Sequence, residues 1–159
     1  MSEISHPYAD LSAIKKILLV TITFTSYMLF AVAWNWGDRY VTSLGFSASR
    51  TAVMTNAITL AQVVGSLVAA NVIVRLGIRT AYVVAGGLII CGGLVSLTTA
   101  FPLVIFIRFV MGLGGALMVV MGSAIAAKVL TGRDLQIANG INSVAFNTGL
   151  AVAMTFGVY

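Results

Sequence analysis

Five apolar runs of about 20 residues occupy most of the chain, each long enough to cross a hydrocarbon core as a helix and too long for a barrel strand. They cover about residues 17–37, 51–74, 80–100, 102–127 and 137–159, which predicts an all-α membrane protein with five transmembrane helices. Residues 1–16 form a polar N-terminal segment, and residues 17–159 form the membrane domain. The leading segment carries Glu3, Pro7 and Asp10 and has no small-residue cleavage site before the first run, so it does not read as a secretory signal.

Helical spacing sorts the polar positions within the runs. On the first, Tyr27, Ala31, Trp34 and Asp38 share one side, as do Thr23, Tyr27, Phe30 and Trp34. An interfacial belt would account for Trp34 and Trp36, whereas Tyr27 is too deep for one and reads as cavity lining. On the second, Asn56, Thr59, Val63, Ser66 and Ala70 fall on one stripe, and these polar groups call for helix partners rather than lipid. The third has few polar side chains, and its glycine pairs Gly86-Gly87 and Gly92-Gly93 suit close contact. On the fifth, Asn139, Asn142, Phe146, Gly149 and Ala153 share a face, with Asn142 open to an interhelical hydrogen bond or to a solute.

Arg108 is the one charge well inside a run, about 9 Å along the helix from Pro102. A central guanidinium costs at least about 2.5 kcal/mol, so it calls for an interior partner or a wet cavity, unless it snorkels to the headgroups. Arg108, Gly112, Gly115, Val119, Gly122 and Ala126 recur at steps of three or four, which puts the charge on the stripe of smallest side chains. Gly112, Gly114 and Gly115 read as helix-packing positions. Tyr27, Trp34, Asp38, Arg108 and Asn142 are therefore the candidate cavity residues.

Between runs, residues 37–50 read as a short external loop, with Ser47 or Ser49 capping the next helix. Arg75-Leu-Gly77-Ile-Arg79 reads as a tight turn in which glycine takes a backbone conformation closed to other residues. Lys15, Lys16, Arg75, Arg79, Lys128 and Arg133 fall on one side of the membrane and Arg39 and Arg50 on the other, which puts the N-terminus in the cytoplasm.

Composition agrees. With 60% hydrophobic and 8% charged residues and a mean hydropathy of +1.06, too little polar surface exists to coat a soluble globule. The net charge of +5 is spread over short loops and does not form a nucleic-acid-binding face. The single Cys91 and single His6 offer neither a disulfide nor a metal cluster, and the runs hold no paired carboxylates. An enzyme is not expected, nor a metal or cofactor.

Three local patterns resemble the major facilitator superfamily. Arg75, Gly77 and Arg79 match basic and glycine positions of its G-x-L-a-D-R-x-G-R-K turn, where Ala70, Val74 and Ile78 depart from its glycine, acid and arginine. Arg108-x-x-x-Gly112-x-Gly114 is similar to the fourth-span R-x-x-x-G-x-G, and Ala138-Asn-Gly140 with Gly149 is similar to small-residue positions of the fifth. The resemblance implies the N-terminal part, five of twelve spans, of a transporter built from two six-helix halves with the substrate between them. It also implies that helices one and four line the cavity and helix three faces lipid. Expected partners are the bilayer, the missing C-terminal spans and a small solute, an anionic one if Arg108 contacts it. The expected function is secondary active transport by alternating access in the cell membrane. The competing expectation is a small non-transporting membrane subunit or a component of an oligomeric channel.

Overall fold

The computed structural model describes residues 11–156. His6 and most of the N-terminal segment lie outside the described residues, as do the last positions of the fifth run, 157–159. Every regular element among the described residues is helical: α1 Ala13–Ser43, α2 Ala48–Cys91, a 3-10 stretch Gly92–Leu97, α3 Phe101–Val129 and α4 Gly132–Phe156.

Three stretches are long and apolar enough to cross a membrane: Ala13–Ser43, Ala48–Leu97 and Phe101–Val129. The middle one has 50 residues. It would measure about 75 Å if straight, more than twice a hydrocarbon core of about 30 Å. It breaks at Gly77, whose φ of 74° and ψ of 157° lie in a region open essentially to glycine alone. Ala69 before the break and Ala81 and Ala85 after it pack on the same α3 residues, Leu117, Met118 and Met121, so the two arms fold back on each other. Two of the expected runs thus sit in one kinked element. The fifth run, α4, is diluted by Gln136, Asn139, Asn142 and Asn147 and is not among the three.

Several boundaries differ from the expectation. The first helix does not stop at Gly37; it continues through Asp38 and Arg39 to Ser43, so the connection to α2 shrinks to residues 44–47. Gly45, with φ of 72°, ends it by taking the left-handed backbone that follows many helices, while Leu44 N–H donates to the Val41 carbonyl. Ser47 occupies the next N-cap without a side-chain bond to the helix; its hydroxyl faces that of Ser49 instead. The third run changes from α to 3-10 winding at Gly92.

The centre is α3. Its 13 buried residues include Arg108, Gly112, Gly114 and Gly115, and it touches α1, both arms of α2, and α4. Against it α2 presents Met54, Ala57, Ile58, Ala61, Gly65 and Ala69, while the polar stripe Asn56, Thr59, Ser66 faces outward. The stripe expected to find helix partners thus meets none among the described helices: alanine and glycine admit the neighbouring backbone more closely, and they took the inner face. On the other side α4 lies along α1, with Gly149 against the Met28 backbone carbonyl.

Candidate functional site

Arg108 is wholly buried, at 0% exposure, and does not snorkel. Room for it comes from Gly37 on α1, where a Cβ would lie 2.8 Å from the guanidinium carbon. Arg108 Nη2 donates to Asp38 Oδ1 at 2.8 Å, and Nη1 donates to the Trp34 carbonyl at 3.1 Å. Asp38 also accepts from Trp34 Nε1 at 2.9 Å and from Thr55 Oγ1 at 3.3 Å. One carboxylate therefore gathers donors from α1, α2 and α3. In a low-dielectric interior such a pair attracts strongly, and the extra donors offset the cost of drying both charges. Arg108 Nε has no protein acceptor.

Below this cluster lies a block of rings. Trp34 meets Phe30 at 5.8 Å and Phe146 at 5.5 Å between centroids, and Tyr27 stacks on Phe30 at 5.9 Å. Phe30 is fully buried and fills the notch left by Gly115, where a Cβ would collide with its ring. Trp34 is thus drawn inward, whereas Trp36 is 53% exposed and remains available for a membrane interface.

On the far side of the rings, α1, α3 and α4 flank an open cleft of about 260 Å³. Thr23, Tyr27, Ser123, Asn139, Asn142 and Ser143 supply its polar lining. Thr23 Oγ1 donates to the Val20 carbonyl at 2.9 Å and approaches Asn142 Oδ1 at 3.2 Å. Asn142 Nδ2 has no protein acceptor. A larger groove, about 480 Å³, runs between the first turns of α1 and α4; it is mainly apolar, with Lys16 and Asp134 among its lining residues.

The five candidate cavity residues divide into two groups. Arg108, Trp34 and Asp38 form the ionic cluster, and Tyr27 and Asn142 line the polar cavity, joined to the cluster through the rings. Arg75, Gly77 and Arg79 stand exposed at the α2 break and line neither. Thr55, Ser123 and Ser143 were not singled out from the sequence. For the two serines a signal existed, since Ser123 follows Gly122 on the small-residue stripe and Ser143 follows Asn142. Thr55 had the same kind of signal, since it precedes Asn56 of the expected polar stripe. Of the four glycines in the third run, Gly92 packs against Met111, while Gly86, Gly87 and Gly93 have nothing within 4 Å of a would-be Cβ.

A family model described as Major Facilitator Superfamily matches residues 17–159. Neither a curated protein nor a solved structure matches the chain.

Proposed function

This chain belongs to the major facilitator superfamily, and on that premise we propose that it is a secondary active transporter of a small solute, working by alternating access. Members of this family are transporters, not enzymes, and the apolar helices make the chain a multi-pass membrane protein. In this reading the two arms of α2 are separate spans and α4 is the fifth, so that five spans cross the cell membrane from a cytoplasmic N-terminus. Further spans supply the opposing body, against which this one rocks.

The observation that carries the reading is the cleft between α1, α3 and α4, where hydroxyl and amide side chains gather within a largely apolar bundle. Tyr27 and Asn142 are its solute contacts. Arg108 and Asp38 already pair with each other, so their role is to bind α1, α2 and α3 into one body, with Trp34 between cluster and cavity. Gly112, Gly114 and Gly115 let that body close around α3, and Arg75, Gly77 and Arg79 form the cytoplasmic turn.

The outward polar stripe of α2 supports a second reading, in which copies of this chain cover one another's Asn56, Thr59 and Ser66 as a non-transporting or channel-forming oligomer. Vesicle uptake separates the two. Vesicles holding only these 159 residues should accumulate no solute, and a transporter completed by an opposing half should do so. Uptake or conductance by the 159-residue chain alone would favour the oligomer.

A further inference from the structure

We propose that this helical body carries a one-ended lock. It is held rigid where Arg108 meets Asp38, and at the opposite end the hairpin from Gly122 of α3 to Asn142 of α4 swings against α1. The proposal goes beyond the transporter reading and stands whether or not the chain transports, because it concerns motion within the body.

The packing of the bundle repeats. Gly65 of α2 admits Leu113 and Ala116 of α3, and Gly149 of α4 admits Met28 and Ala31 of α1. One nearly constant shift along the chain carries Met28, Ala31 and Gly65 onto Leu113, Ala116 and Gly149, so α3 with α4 is the inverted counterpart of α1 with the first α2 arm. The same shift carries Thr23 onto Arg108, Trp34 onto Val119, Gly37 onto Gly122, Asp38 onto Ser123 and Thr55 onto Asn139. Contacts bear this out: a Cβ at Gly37 would meet the Arg108 guanidinium, and a Cβ at Gly122 would have Thr23 as a neighbour. The cluster of Arg108, Trp34, Asp38 and Thr55 is therefore matched by Thr23, Val119, Ser123 and Asn139, all of which line the cleft. Thr23 and Asp38 stand about 22 Å apart along α1, which puts the two sites at opposite ends.

Matched positions hold very different groups. At the Arg108 end, charge-assisted bonds join α1, α2 and α3, and parting them strands a charge in apolar surroundings. At the other end the cation, the carboxylate and the indole are replaced by two hydroxyls and an isopropyl group, and the cleft is the space left over. Among the described residues one side-chain hydrogen bond ties α1 to the hairpin, Thr23 to Asn142 at 3.2 Å. It is neutral, and the Val20 carbonyl at 2.9 Å competes for its proton.

The hairpin is the part that moves, because α1 is held on its other side by Tyr82, which hydrogen-bonds to Ser26 and donates to the Ile22 carbonyl. Ala126, Leu130 and Ala138 form an apolar cluster with Val20, but such contacts are non-directional and re-form as helices shift. Gly149, pressed against the Met28 carbonyl, is the pivot.

The test is pulsed spin-label distance measurement on the full 159-residue chain in lipid nanodiscs, in a Cys91→Ser background. Labels at Leu18→Cys and Gln136→Cys span α1 and the hairpin, and labels at Thr42→Cys and Leu103→Cys span α1 and α3 at the Arg108 end; all four positions are exposed. The first distance distribution should be at least about twice as wide as the second, as when one end of a helix pair hinges and the other is held. Thr23→Arg with Ser123→Asp installs the ionic pair at the matched positions and should narrow the first distribution to the width of the second. Asp38→Asn with Arg108→Gln should widen the second about twofold, and it decides alone if the installed pair does not fold. Equal widths in the parent chain, no narrowing in a folded Thr23→Arg/Ser123→Asp chain, or an unchanged second distribution in Asp38→Asn/Arg108→Gln would each overturn the proposal.

Discussion

Arg108 brings a full positive charge into an apolar run, and Asp38 meets it at 2.8 Å from the far end of α1. Removing one partner of a buried pair strands the other, whereas removing both leaves two polar but neutral side chains. Arg108→Gln and Asp38→Asn should therefore each destabilise the chain, by about 3 kcal/mol, the low end for an orphaned buried charge, because Asp38 keeps 31% of its side-chain surface exposed. The double variant should lose clearly less than the sum. Arg108→Lys should fall between, retaining charge but losing the fork that reaches both Asp38 and the Trp34 carbonyl. Thermal unfolding of the four proteins checks this, and strictly additive losses would contradict the pairing. At this scale Arg108 was legible because a charge inside an apolar run stands out, and Asp38 was legible as a residue on the cavity-facing side of the first run. The inward turn of Trp34 was not, since interfacial and cavity-lining tryptophans occupy similar sequence positions. The shortage at Asn142 was also hidden, because whether its Nδ2 meets an acceptor depends on which groups of α1 and α3 pack against it.

Successive residues of a helix point about 100° apart, so three closely spaced glycines can serve three neighbours. On α3, Gly112 faces Ile58 and Ala61 of the first α2 arm, Gly114 faces Ala85 and Leu88 of the second, and Gly115 faces Phe30 of α1. A Cβ at Gly112 would lie 2.5 Å from the Ile58 carbonyl oxygen, a backbone atom that cannot swing aside. Gly112→Ala should accordingly cost about 1–3 kcal/mol through overpacking. Gly87→Ala, with nothing within 4 Å, should be neutral or stabilise by about 0.5–1 kcal/mol through helix propensity. Equal melting shifts for the two would contradict the packing described. The glycine spacing of α3 was visible in the sequence, but the contrasting idleness of Gly86, Gly87 and Gly93 was not, because a glycine's sequence position does not say whether another backbone arrives. The helix limits were misjudged for a related reason. Gly37 resembles a terminator in isolation, yet here it sits inside α1 and clears space for a guanidinium from another helix.

At the scale of the molecule, α3 joins the α2 arms on one side to α1 and α4 on the other, and the polar cavity opens at the α1, α3 and α4 junction. An apolar run pattern conveys the membrane class and the helical fold, because burial in lipid demands both. It does not convey which face of α2 turns inward, since small residues and short polar ones compete for that face. Alternating access makes a demand that neither a strut nor a fixed pore meets: the cavity must face one side of the membrane at a time. The direct measurement is labelling of Ser143→Cys by a membrane-impermeant thiol reagent in the complete transporter lacking Cys91, with Ser43→Cys and Gly132→Cys as references for the two sides. Ser43→Cys should react only from outside and Gly132→Cys only from the cytoplasm. Ser143→Cys should react from either side, with rates that move in opposite directions when the solute gradient is reversed. Simultaneous reactivity from both sides without that reciprocity, or reactivity from one side whatever the gradient, would contradict the account.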